Sequence, residues 1–277
     1  MKKLNEQINE IVKSNAAFDT KSNYLKQLGL TNIDIFNLLG AVPRIRLSSY
    51  KRTFGVEIEN NANADILFDA LNNNAVAVVN DYCNYNHNDS KIHYKIMSDA
   101  SVCGCELVSP ILKNHSSLKK VCQAFDNINA KVDKNCGLHV HIGTNITFDL
   151  MKKVAINYKK LQSAINKFMP QSRINNKYCR PIPADATIDN VLNKTFESRY
   201  FAVNTKAFAQ HGTIEFRQHS GTTNYAKIKN WVNFCIKLVN YSETNILDNE
   251  VDEINEIPFL SETEIQFFES RSKTINN

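Results

Sequence analysis

No unbroken apolar run in this sequence approaches the roughly 20 residues that a membrane-spanning helix needs. Its beginning, M-K-K-L-N-E-Q-I-N-E, is basic at first but lacks the apolar segment of an export signal. A cytoplasmic protein without a membrane partner is therefore expected. The seven cysteines form no C-x-x-C framework, so structural zinc is not expected and reduced thiols account for them. Cys103, Cys105 and Cys136 lie near glycines, but small buried thiols are common in cores, and a thiolate metal site is not favoured. No Lys/Arg block stands out. A net charge of +5 with a pI near 8.7 is a weak footprint for nucleic acid, which is not an expected partner. There is no G-x-x-x-x-G-K-[ST] loop, no H-E-x-x-H and no internal repeat, which removes a P-loop nucleotide site, a zincin and a solenoid.

What is present is a globular composition. In 277 residues, 43% are hydrophobic and 22% charged, enough for one large domain or one domain with appendages. Residues 1–48 read as a helical extension. L-N-E-Q-I-N-E-I-V-K has helical spacing, and Y-L-K-Q-L-G-L-T-N-I-D-I-F-N-L-L-G reads as two short helices with Thr31 capping the second. A helix-turn-helix reader of DNA is weighed and set below a helical lead-in, because the second helix is acidic and apolar. Residues 49–242 alternate short strands with helices and form the expected main domain. The strands are F-G-V-E-I-E, A-V-A-V-V, I-H-Y-K-I-M, C-E-L-V, G-L-H-V-H-I-G, Y-F-A-V-N and T-I-E-F-R. The longest helix starts at Thr147 and is stopped by Pro170. Residues 243–277 form an acidic, then helical tail, with S-E-T-E at 261–264 as a capping box. The interleaving predicts an α+β fold around a largely antiparallel sheet.

Alternation along strands sorts the polar residues by face. Phe54, Val56 and Ile58 face one way, and Glu57 and Glu59 the other. Leu138, Val140 and Ile142 oppose His139 and His141. Ile214 and Phe216 oppose Glu215, Arg217 and His219. One strand of this kind is an ordinary amphipathic strand with a wet side. Three strands whose wet faces all carry carboxylates, imidazoles or a guanidinium point to a site. Several carboxylates with one or two imidazoles suit Mg²⁺ or Mn²⁺ rather than a closed zinc site. Mg²⁺ commonly shares its shell with phosphates, so a nucleoside triphosphate is the expected companion. Arg217, two residues after Glu215, is placed to stabilise a transferring phosphoryl group. Asp99 and Ser101 fit a turn or the site equally, Arg180 fits a surface loop or the site, and His219 fits a structural hydrogen bond at the strand end.

F-G-V-E-I-E, D-A-S-V-C-G-C-E-L-V-S-P, C-G-L-H-V-H-I-G, R-Y-F-A-V-N and T-I-E-F-R-Q-H-S-G-T follow one another as in the amidoligase family. That family is grouped with carboxylate-amine ligases of the glutamine synthetase and γ-glutamylcysteine synthetase type. The resemblance covers roughly residues 50–240 and rests on the order of the five motifs. It implies a glutamine synthetase-like catalytic domain: a curved antiparallel sheet, helices on its convex face, and ATP with two or three Mg²⁺ ions on its concave face. It further implies Glu57, Glu59, Glu106, His139 and Glu215 as metal ligands, and His141 as a contact to the ATP phosphates. Arg217 would meet the transferred phosphoryl group, and Arg173, Arg180, Arg199 and Asn204 a phosphate or a substrate carboxylate. The activity implied is ATP-dependent joining of a carboxylate-bearing and an amine-bearing partner, each a small molecule, peptide or protein. The family is associated with peptides, protein tags or cell-wall components in bacterial or phage gene clusters. Two other classes stay open on the residues alone: a metal-dependent hydrolase using H-x-H with the glutamates, and a non-catalytic nucleotide- or DNA-binding module.

Overall fold

The computed structural model describes residues 2–16, 18–30, 32–39, 52–80, 92–100 and 103–276. Thr31 and Ser101, both weighed from the sequence, lie outside them. Three helices open the chain: α1 (Lys2–Lys13), α2 (Phe18–Gln27) and α3 (Asn32–Leu39). The main body then runs β1 (Phe54–Asn60), α4 (Ala64–Asn73), β2 (Val78–Asn80), β3 (Tyr94–Met97), β4 (Cys105–Val108), α5 (Ser116–Asn127), β5 (Gly137–Ile142) and α6 (Phe148–Asn166). It continues with α7 (Val191–Thr195), β6 (Val203–Asn204), α8 (Ala207–His211), β7 (Ile214–Ser220), α9 (Tyr225–Ser242) and α10 (Glu262–Asn276).

Among the described residues the strands form one seven-stranded mixed sheet in the order β2-β3-β4-β1-β5-β7-β6. Among the described residues only β2 and β3 pair in parallel, and every other neighbouring pair is antiparallel. The fold is thus α+β, as expected, with the antiparallel strands at its centre. Phe54, Val56, Ile58, Leu107, Leu138, Val140, Ile142, Ile214 and Phe216 give the sheet one apolar face, all of them buried in a single core. Long helices cover that face. α6 begins where the Thr147 hydroxyl accepts from the Leu150 amide, and α9 where the Asn224 side chain accepts from the Lys227 amide. In α9 the apolar positions repeat with helical spacing, so Ile228, Trp231, Val232, Cys235 and Val239 are all buried.

The tail is part of this core. Phe259, Leu260, Ile265 and Phe268 are buried with it, and the Phe268 ring lies 4.5 Å from that of Phe168 and 5.9 Å from that of Phe234. Half of the expected capping box at 261–264 is seen: the Glu264 carboxylate accepts from the Ser261 amide at 2.8 Å, and also from its hydroxyl at 2.7 Å.

One strand departs from simple alternation. Leu138 faces His219 across β5 and β7, but Val140 faces Phe216, so β7 uses one more residue than its partner over this interval. This β-bulge reverses the parity of the strand end. His219 therefore does not share the polar face with Glu215 and Arg217. It is 1% exposed and lies 5.4 Å, ring to ring, from Trp231 of α9, with Nδ1 at 2.7 Å from the Ser220 carbonyl oxygen. Of the readings open for it, the structural hydrogen bond is the one observed.

Burial first, and then the nearby Arg271 guanidinium, push the His219 imidazole well below its ordinary pKa. The neutral ring is favoured in the fold, whereas the unfolded chain takes up a proton near pH 6.5. Stability is therefore present above that pH and is lost as pH falls through it, with a limiting slope of about 1.4 kcal/mol per pH unit. Urea unfolding between pH 7.5 and 5 checks this expectation. His219→Phe should flatten the slope relative to wild type, and an unchanged slope would contradict the assignment.

Candidate active site

The polar face of the four central strands carries the site. Register places Glu57 opposite His139, Glu59 opposite Glu106, and Gly55 opposite His141, which in turn faces Glu215. Four strands thereby deliver four carboxylates and two imidazoles as neighbours, with Glu106 supplied by β4. Glu57 Oε2 lies 2.9 Å from His139 Nδ1, and Glu57 Oε1 lies 3.2 Å from His141 Nε2. His139 also reaches Glu59 at 3.5 Å and Glu215 at 3.6 Å, and His141 lies 4.0 Å from Glu215. Arg217 Nη1 donates to Glu215 Oε1 at 2.5 Å, and its Nε donates to the Tyr178 carbonyl at 3.2 Å. Glu59 is held from behind, accepting from the Gly137 amide at 2.6 Å. His141 Nδ1 is within 2.9 Å of the Thr213 hydroxyl.

Three overlapping sets of side chains offer ligand atoms within 4.8 Å of one another: Glu57, Glu106 and His139; Glu57, His141 and Glu215; Glu59, Asp99 and Glu106. Their ionisation reflects the crowding. Burial opposes charge on Glu57, but His141 and His139 outweigh it and hold this carboxyl well below the usual range. Burial, then the charges of Glu57, Glu59, Asp99 and Glu215, push Glu106 well above it. His141 is lifted above its ordinary pKa: burial opposes the charge, and Glu57 and Glu215 prevail.

Two cavities flank the cluster. One, of about 440 Å³, is lined by Glu57, Glu59, Glu106 and His139 with Asp99, Asn135, Arg173, Tyr178, Arg199, Tyr200 and Arg217. The other, of about 500 Å³, has walls of Phe54, Val56, Val108, Pro110 and Ile111 beside Glu57, His141, His211 and Thr213. Glu57 lines both.

The residues expected from the sequence separate into groups. Glu57, Glu59, Glu106, His139, His141, Glu215 and Arg217 come together. Arg199 reaches the polar cavity from the surface, its guanidinium 5.2 Å from the Tyr200 ring. Asn204, buried in β6, lies behind Glu215, donates to its Oε2 at 2.5 Å and lines neither cavity. Arg180 is exposed, donates to Ser198 Oγ at 3.1 Å, covers the Phe201 ring and also lines neither, which matches its surface-loop reading. Asp99 stands in the site, beyond the turn reading. Thr213 and His211 were not anticipated. Thr213 carried a usable signal, since it shares the parity of Glu215 and Arg217. His211 sits on the five-residue α8, too short to announce itself by periodicity.

Among curated proteins none matches the chain. A family model described as "putative amidoligase enzyme" matches it over residues 50–195 and 189–239. These segments contain every residue of the cluster just described and stop short of the N-terminal helices and α10. Coming from well over half the chain, the match places this protein in the amidoligase family, whose name denotes an amide-bond-forming ligase.

Proposed function

We propose that the protein is an ATP- and Mg²⁺-dependent carboxylate-amine ligase that works through an acyl phosphate. The observation that carries this reading is the row of Glu57, Glu59, Glu106, His139 and Glu215 beside Arg217, with oxygen donors in excess of nitrogen. Such a donor set fits Mg²⁺ or Mn²⁺, and a divalent cation would offset both the burial and the neighbouring negative charge that raise Glu106. Those five side chains would hold the metal, which when bound supplies positive charge to the phosphate oxygens.

The chain's own part is positioning and electrostatics. The apolar-walled cavity suits a base and ribose, with His141 at its inner edge to meet the phosphates. The polar cavity, with Arg199 and Arg217 on its walls, suits the carboxylate substrate. The substrate carboxylate oxygen bonds to the γ-phosphorus as the bond to the β-phosphate oxygen breaks, releasing ADP. Arg217, oriented by Glu215, faces the charge of the transferring group. An amine then attacks the acyl carbon, phosphate leaves, and the amine proton passes to solvent. Holding the reactants in this order converts encounters into near-intramolecular steps.

The test is an ADP-release screen with Mg-ATP against amino acids, peptides and polyamines, followed by mass spectrometry of any new amide. A binding measurement comes first. At a hundredfold excess over its Kd, ATP should add about 2.7 kcal/mol of stability. That corresponds to roughly 5 °C or more in Tm. The shift should require Mg²⁺ and vanish with chelator. Stabilisation by metal alone, with no response to nucleotide, would favour the hydrolase reading instead.

A further inference from the structure

We propose that Arg173 is a positioning residue for Arg217: its guanidinium binds the two carbonyls at the bulge of β7 and so fixes the strand where its alternation breaks. Sequence resemblance implied a different role, a contact to phosphate or substrate carboxylate. The geometry points elsewhere. Arg173 is 3% exposed, its Nη2 donates to the Arg217 carbonyl at 2.6 Å and its Nε to the Gln218 carbonyl at 3.3 Å. Those are the residues at which β7 runs one position ahead of β5. A bulge leaves backbone groups out of the ladder, and a forked guanidinium is well shaped to donate to two carbonyls.

The contact is reciprocated. Arg217, from the strand, donates to the carbonyl of Tyr178 in the loop that carries Arg173. Two arginines thus fasten that loop to β7 from both sides, and the loop is one wall of the polar cavity. The space beneath is closed by Gly137. A Cβ there would come within 3.0 Å of Arg173 Nη2 and 2.9 Å of His139 Nε2. Without the bulge, Arg217 and His219 would share a face; with it, Arg217 stands over the carboxylates while Gln218 and His219 turn to the helices. The Gln218 side chain indeed accepts from the Tyr158 hydroxyl of α6 at 2.7 Å.

The inference rests on the proposed ligase reading only where turnover is measured. Wild type is compared with Arg173→Met and Arg173→Lys, the lysine keeping the charge but not the fork. Hydrogen-deuterium exchange across residues 216–220 should rise about tenfold or more in Arg173→Met and less in Arg173→Lys, with residues 54–60 unchanged. Mn²⁺ alone, titrated by calorimetry, should bind within about threefold of wild type, because the ligands are other side chains. With Mg-ATP and a substrate from the ADP-release screen, kcat should fall about a hundredfold, the cost of a misplaced catalytic group. KM for ATP and for the carboxylate substrate should move by less than about threefold. Unchanged exchange at 216–220 with a KM raised about tenfold would overturn the proposal and make Arg173 a ligand contact. Equal loosening of 54–60 and 216–220 would overturn it too, as a general structural role. If Arg173→Met does not fold, Arg173→Lys decides by the same readouts. The exchange and Mn²⁺ measurements need no turnover, so they stand even if no substrate releases ADP, the outcome that defeats the ligase reading.

Discussion

Glu57→Ala is expected to abolish Mg²⁺-dependent ADP release, lowering it by about a thousandfold or more, while the fold survives. Glu57 touches both imidazoles, belongs to two of the three candidate ligand sets and lines both cavities. Its side chain is 24% exposed on the polar face, so truncation removes no core contact. Glu215→Ala should be as damaging to activity but less benign to the fold, since it strips the acceptor from Arg217 and from the buried Asn204 amide. Circular dichroism and Tm separate the two effects. Full ADP release by either variant, with the true substrates present, would contradict the metal assignment.

Deleting residues 261–277 is expected to cost the chain its cooperative fold, although this segment lies beyond the family match. Ile265 and Phe268 are 4% and 1% exposed, each worth about 1.5–3 kcal/mol on burial. Arg271 adds hydrogen bonds from α10 to the Phe168 carbonyl at 2.8 Å and to Ser220 Oγ, at the end of β7, at 3.1 Å. Lys237 of α9 donates to Glu264 at 2.5 Å, a pair both of whose side chains are largely covered. Together these losses approach the whole stability of an ordinary domain, about 5–15 kcal/mol. The single change Phe268→Ala should cost about 3–5 kcal/mol in denaturant unfolding. A loss below about 1 kcal/mol would mean that α10 does not support the core.

Alternation made most of the cluster readable in advance, because a regular strand leaves no choice of face. Glu57 with Glu59, His139 with His141, and Glu215 with Arg217 all lie where parity places them. The same rule misplaced His219, because a bulge is set by pairing between strands and leaves no mark in one strand's own pattern. Asn204 was expected to meet a phosphate or a substrate carboxylate; what it meets in the fold is Glu215, a distinction that only the β6–β7 register makes. The long helices were visible from their spacing and caps, whereas α7 and α8, five residues each, are fixed by tertiary packing. The tail's acidic start suggested an appendage. The buried side chains of Phe259 and Phe268 are what bind it to the core.

The placement of Glu57 between the two cavities has a thermodynamic consequence. A charged ligand on one side acts on the same carboxylate that a ligand on the other side must meet. Any help or hindrance that the first gives the second is then returned in equal free energy, whichever arrives first. The ratio of reactant affinities measured singly and together gives the whole coupling, and repeating it in Glu57→Gln isolates the part carried by this side chain.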